Sequence, residues 1–260
     1  MTEEANSGQP AVLGFDLKGK RVAVVGGKSG AGLGIAQAAQ AAGASVVVAS
    51  RQFFSGTDRP ELAVFEQITL DVEDEDAVRE AFKAIGTFDH LVVAAGPAMG
   101  TWGSFSDTDM SGLRRYTDSK FLGAWACARY ASDYITADGS ITFLTGGTAV
   151  RSKVGLAAVT SVFSAVEALG RSLALELGPV RVNTLRAGFI DTPFWDFLTD
   201  AEATEVRQKV REKFPVHRVG TAADIGHAAA YRPDPPRDRA RPAWPTRRHG
   251  PRIPRRGLSP

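Results

Sequence analysis

Three glycines in VVGGKSGAGLGIA, namely Gly26, Gly30 and Gly32, stand in a G-x3-G-x-G pattern between a β-branched stretch and an Ala-rich one. Glycine at such a junction permits positive φ and a close backbone approach to a diphosphate. The helix that follows presents its first amides to the phosphates. Lys28 and Ser29 lie inside the same loop, and Ser50-Arg51 end the next β-branched stretch. A guanidinium there can grip a phosphate bidentately. A second grouping, Tyr116-Thr117-Asp118-Ser119-Lys120, sets a phenol and an amine one helical turn apart, side chains able to move protons. The same run also reads as an ordinary amphipathic turn. His90, His217 and His227 are scattered without metal-ligand spacing, so no metal site is expected. Cys127, the single cysteine, excludes an intrachain disulfide or a CxxC site and fits a reducing cytoplasm.

The elements that would position these residues alternate along the chain. Candidate strands are 21–25, 45–50, 64–70, 90–94, 140–144 and 180–185. Between them, 30–42, 75–85, 107–135 and 154–177 are rich in Ala and Leu, with apolar residues at helical spacing. Strands separated by helices require right-handed crossovers. The expected fold is therefore α/β, a Rossmann-type doubly wound parallel sheet with helices on both faces. Residues 187–213 read as a loop plus helix covering a site. Met99, Trp102, Phe194, Trp195 and Phe197 fall on loops that rim the C-terminal strand ends, where they suit either an apolar ligand or packing of the lid.

Length and composition fit one domain, with 43% apolar and 23% charged residues, and no apolar run approaches the ~18 residues a membrane span needs. The polar start, residues 1–16, reads as a disordered lead-in. The net charge of +2 averages two unlike parts: residues 231–260 hold nine Arg, no Lys and two Asp, which leaves the rest of the chain acidic. Neither nucleic acid nor membrane is an expected partner of that acidic body. The tail reads as a disordered segment, such as a shifted reading frame of GC-rich DNA would give, or as a basic arm for an acidic partner.

Residues 17–230 resemble the short-chain dehydrogenase/reductase family. The glycine loop is similar to that family's T-G-x3-G-x-G with Val25 for Thr. Asp71-Val72 follows the third strand, and Ala94-Ala95-Gly96 stands for N-N-A-G. Ala187-Gly188 replaces Pro-Gly before Thr192-Pro193, and HRVGTAADIGHAA matches a late R-x-G-x-x-x-D-I motif. The resemblance implies a nicotinamide dinucleotide held by the glycine loop, with Asp71 and Val72 at the adenine, Ala95 and Gly96 along its path, and Ile190 and Thr192 beside the nicotinamide. The absence of an acid at Ser50-Arg51, with Lys28 close by, points to NADP rather than NAD.

The family's chemistry rests on Y-x3-K with a Ser and an Asn. Aligned by neighbouring residues, these places hold Val159, Phe163, Gly146 and Lys120, so the resemblance implies an altered active site. Thr145, one residue before Gly146, Lys120 and Tyr116 are then the expected polar groups near the nicotinamide. The expectation is an NADP(H)-dependent oxidoreductase for a carbonyl or alcohol of an apolar small molecule. A non-redox NADP sensor or partner subunit is the alternative, and a defective gene product the third reading. The family's last strand, T-G-x4-V-D-G-G, has no counterpart after Ala230, so a homo-oligomer, if formed, is expected to be weakened.

Overall fold

The computed structural model describes residues 16–55, 57–96, 103–196 and 198–230. Expectations for the lead-in before Asp16, for Met99, Trp102 and Phe197, and for the Arg/Pro-rich tail lie outside these residues. Six parallel strands form the main sheet: β1 (Arg21–Val25), β2 (Ser45–Ser50), β3 (Glu66–Thr69), β4 (Phe88–Val93), β5 (Ile135–Gly146) and β6 (Arg181–Ala187). Their order is β3-β2-β1-β4-β5-β6, and the sheet ends at β6 among the described residues. Two short strands, β7 (Ile190–Asp191) and β8 (Gly220–Thr221), pair separately.

Seven helices complete the described fold: α1 (Gly30–Ala41), α2 (Glu75–Ile85), α3 (Met110–Thr117), α4 (Gly123–Ala131), α5 (Ala157–Glu176), α6 (Asp200–Lys213) and α7 (Ala222–Ala230). Strand periodicity divides the apolar side chains between two cores. From β1, Ala23 and Val25 join Phe82 of α2, Cys127 of α4 and Val166 of α5, whereas Val22 and Val24 meet Ile35 of α1 and Ile225 of α7. Against the expectation that no stretch would suffice, α5 is long and apolar enough to cross a bilayer by length and composition, its polar residues being interspersed rather than absent. Here it covers the sheet, its Val166 and Leu169 packing with Ile141 and Phe143 of β5.

α1 and α7 touch backbone to backbone. A Cβ on Gly34 would sit 2.2 Å from the Ala222 oxygen, and one on Gly226 would sit 2.3 Å from the Gly34 oxygen. α7 starts at a reciprocal cap: Asp224 accepts from the Thr221 amide at 2.8 Å, and Thr221 accepts from the Asp224 amide at 3.2 Å. The Arg218 guanidinium beside Asp224 holds that carboxyl below the usual range.

Two elements depart from the periodicity. β5 begins at Ile135, five residues before the expected strand, because a register shift against β4 accommodates the polar Thr136–Gly139 stretch. The long helix expected over 107–135 is interrupted by a π-helical turn, Asp118–Leu122, between α3 and α4. Immediately afterwards Gly123 packs on Val72, where a Cβ would approach to 2.8 Å. The turn leaves Ser119 and Lys120 both buried.

Candidate cofactor cradle and active site

The cradle is built at the carboxyl ends of β1, β2 and β4. Gly26 has φ +84° and Gly30 +55°, the left-handed region that glycine adopts without strain. A Cβ on Gly26 would lie 2.6 Å from the Ala95 nitrogen, and one on Gly32 would lie 2.1 Å from the Gly26 oxygen. The loop therefore folds onto itself and onto the end of β4 only because these positions lack side chains. Ser29 is the N-cap of α1, yet its side chain makes no capping hydrogen bond, so the first amides of the helix receive none from their N-cap. Thr192 closes the cradle from the other side, its Cβ 3.5 Å from where a Cβ on Gly30 would stand. Ile190 lies in β7 just before it.

Cations gather past the end of β2, where the adenosine end of a dinucleotide is expected. Arg51 is exposed just past β2. Ser50, which is buried, donates to the Gln52 carbonyl at 2.7 Å. Lys28 donates to the Gln52 Oε1 at 3.4 Å and lies 5.3 Å from the Phe54 ring centre. Arg59, which the sequence reading missed, donates through Nη2 to the Lys28 carbonyl at 3.0 Å and lies 5.6 Å from the same ring. Nothing in the spacing marked it, because its place depends on how the β2–β3 connection folds back. Asp71 accepts from the Glu73 amide at 3.1 Å in the turn after β3, and Val72 is buried beside it.

At the reacting end the structure brings together some expected residues and separates others. Lys120 reaches the β4 end: Nζ donates to the Ala95 carbonyl at 2.9 Å, and its Cδ lies 3.0 Å from where a Cβ on Gly96 would stand. Burial brings its ammonium down to about 8. Tyr116 packs in a small cluster with Val159 and Val162 of α5, its ring 6.4 Å from that of Phe163. Burial pushes its hydroxyl well above the ordinary phenol value.

Thr145 does not face this group. Along β5, residues 141, 143 and 145 share a face, and Thr145 therefore points at α5 beside Ile141 and Phe143. Its hydroxyl donates to Glu167 at 3.2 Å. Glu167 in turn receives Arg186 through two hydrogen bonds of 2.6 Å, and that guanidinium holds its carboxyl below the usual range. The structure thus ties the Thr145 hydroxyl into this network with Glu167 and Arg186.

The loop aromatics largely satisfy one another. Trp195 stacks on Phe189 at 4.6 Å and donates its indole N–H to the Ile190 carbonyl at 2.9 Å, while Phe194 meets Trp195 edge-on at 5.0 Å. α6, expected as a lid, has no buried residue and is tied back by Arg207 on Asp191 at 2.9 Å. His90 is buried and shares a 3.0 Å hydrogen bond with Ser140, away from the cradle. Among the described residues no group of three His, Cys, Asp or Glu is placed to hold a metal.

A doubly wound parallel sheet with a glycine turn between its first strand and helix defines a dinucleotide-binding α/β protein. A family model described as enoyl-(acyl carrier protein) reductase matches residues 25–231. A short-chain dehydrogenase/reductase of Acremonium sp., ucsE, is 30% identical over 231 residues, covering 80% of this chain and 87% of that protein. The NADP-dependent (R)-specific alcohol dehydrogenase of Lentilactobacillus kefiri is 29% identical over 238 residues, with coverages of 83% and 89%. The structure of a small-chain dehydrogenase in complex with NADPH superposes with a TM-score of 0.70 at 28% identity, covering 80% of this chain and 88% of that one. The chain belongs to the short-chain dehydrogenase/reductase family of oxidoreductases, whose members bind a nicotinamide cofactor.

Proposed function

We propose that this protein is an NADP(H)-dependent oxidoreductase acting on a carbonyl or alcohol of an apolar small molecule, with an active site in which Lys120 handles the proton. The observation that carries the reading is the pairing of a glycine cradle with the basic Lys28 and Arg51, where no acid follows β2 to hold a ribose hydroxyl. The alcohol dehydrogenase and the NADPH-bound neighbour described above support the cofactor choice. The bound nucleotide supplies the hydride. Gly26, Gly30 and Gly32 with the first amides of α1 hold the diphosphate, Lys28, Ser50 and Arg51 surround the adenosine ribose, and Ile190 and Thr192 close the nicotinamide side. Lys120, with a value near neutrality in a buried setting, is suited to give or take a proton. A cytoplasmic location and a small-molecule partner belong to the same reading.

The experiment is a cofactor titration followed by single-turnover oxidation of bound NADPH with a panel of apolar ketones and quinones. Tight NADPH binding, with turnover that Lys120→Met lowers by ~10²-fold or more, supports the proposal. Turnover unchanged in Lys120→Met removes Lys120 from the chemistry. A second reading, a non-redox NADP-binding sensor or partner subunit, is supported by Phe163, an apolar residue that packs against Gly146 and that the resemblance sets at the family's lysine position. NADPH binding with no turnover on any carbonyl would select it.

A further inference from the structure

The stretch between β2 and β3 carries an arrangement that neither the glycine pattern nor the family comparison assigns. Phe54 is half-buried and has two cations over its ring, the Lys28 ammonium at 5.3 Å from its centre and the Arg59 guanidinium at 5.6 Å. Arg59 is anchored at two points: Nε meets Glu61 at 2.5 Å, and Nη2 reaches the Lys28 carbonyl at 3.0 Å. Its Nη1 has no hydrogen-bond partner among the described residues. The ring backbone is fixed as well, since the Phe54 amide donates to Gln67 Oε1 at 3.2 Å and its carbonyl accepts from Gln67 Nε2 at 3.1 Å.

Two cations brought this close repel each other, so an arrangement that fixes both beside one ring costs free energy unless something negative offsets it. Glu61 neutralises Arg59 in part, while the described partner of the Lys28 ammonium is the uncharged Gln52 amide. The site lies directly on the glycine loop, because Arg59 binds that loop's own carbonyl. A dianionic phosphate next to the adenosine end of the cradle would meet Lys28, the open edge of the Arg59 guanidinium and the exposed Arg51 together.

We infer that Phe54 and Arg59 form, with Lys28, a clamp of two cations on one ring that selects the phosphate-bearing adenosine ribose, Arg59 being a specificity-determining residue and Phe54 the platform on which both cations rest. This inference rests on the NADP reading above and adds to it residues outside the glycine loop and the β2 end.

The test is equilibrium binding of NADPH and of NADH to the full chain, followed by nicotinamide fluorescence, in wild type and in Arg59→Gln, Arg59→Ala and Phe54→Leu. Arg59→Gln keeps a donor for the Lys28 carbonyl while removing the charge. Loss of a charge-assisted contact should weaken NADPH by about 10- to 100-fold in both Arg59 variants and leave NADH within about twofold. Phe54→Leu should weaken NADPH selectively and by less. If Arg59→Gln retains wild-type NADPH affinity, or if both nucleotides weaken equally, Arg59 is a structural tether and the clamp is overturned while the NADP reading stands. If wild type itself binds the two nucleotides equally, the cofactor reading and the clamp fall together.

Discussion

The Phe163 ring occupies the space that a side chain on Gly146 would need: a Cβ there would lie 2.6 Å from the ring's Cε2. The two positions complement each other. Gly146 stands without a side chain at the end of β5, Phe163 fills that space from α5, and the ring also lies 5.8 Å from the Lys120 ammonium.

This complementarity predicts coupling. Gly146→Ser should destabilise the protein by about 1–3 kcal/mol, since the ring must move off its packed position. Gly146→Ser combined with Phe163→Ala should cost less than the two changes summed. Urea unfolding of the four species checks it, and strict additivity would show that the ring is free to swing aside.

Lys120 should make stability depend on alkaline pH. Its ammonium value is about 8 when folded against 10.5 for an unburied lysine. Between these values the unfolded chain binds the extra proton, so this contribution to stability rises with pH from 8 to 10.5 and is constant below 8. Relative to Lys120→Met, wild type should lose on the order of 3 kcal/mol as the pH is lowered across that window. Cys127, pushed up to about 12 by burial, and Tyr116 titrate in both proteins and cancel in the difference. A flat difference between the two stability curves would rule out a buried, easily deprotonated amine.

The Glu167–Arg186 pair should govern the acid limb. Glu167 lies below its usual value in the folded state, so its contribution is present above about 4.5 and is lost as pH falls through the folded value. Arg186→Met should move acid unfolding to higher pH. Arg186 is half-exposed, so solvent screens the pair and the loss at neutral pH should be smaller than the shift of the acid limb. Thr145→Val should lower stability by about 1 kcal/mol and leave nucleotide binding unchanged, as suits a hydroxyl committed to Glu167. Circular dichroism against pH, with nucleotide binding measured in parallel, reads out both variants.

At the α1–α7 contact, Gly34→Ala should destabilise by roughly 3 kcal/mol, because the added Cβ meets backbone rather than a movable side chain. Gly147→Ala, whose Cβ would find only the Ala187 oxygen at 3.8 Å, is the control and should change stability by less than about 1 kcal/mol. Comparable thermal midpoints for the two variants would contradict the tight helix crossing.

The sequence alone determined the order of strands and helices, the two-faced burial of the sheet and the glycine cradle, because each is written in local periodicity or in a φ that only glycine tolerates. β1, β2 and α2 fall where their apolar patterns place them. Tertiary structure decided what depends on facing partners. Strand parity turned Thr145 toward Glu167, and a π turn that no periodicity announces brought Lys120 to Ala95. A chain reversal after β2 set Arg59 against the Lys28 loop, 31 residues away in sequence. Such contacts join residues remote along the chain, and their energies appear only once the backbone has closed around them.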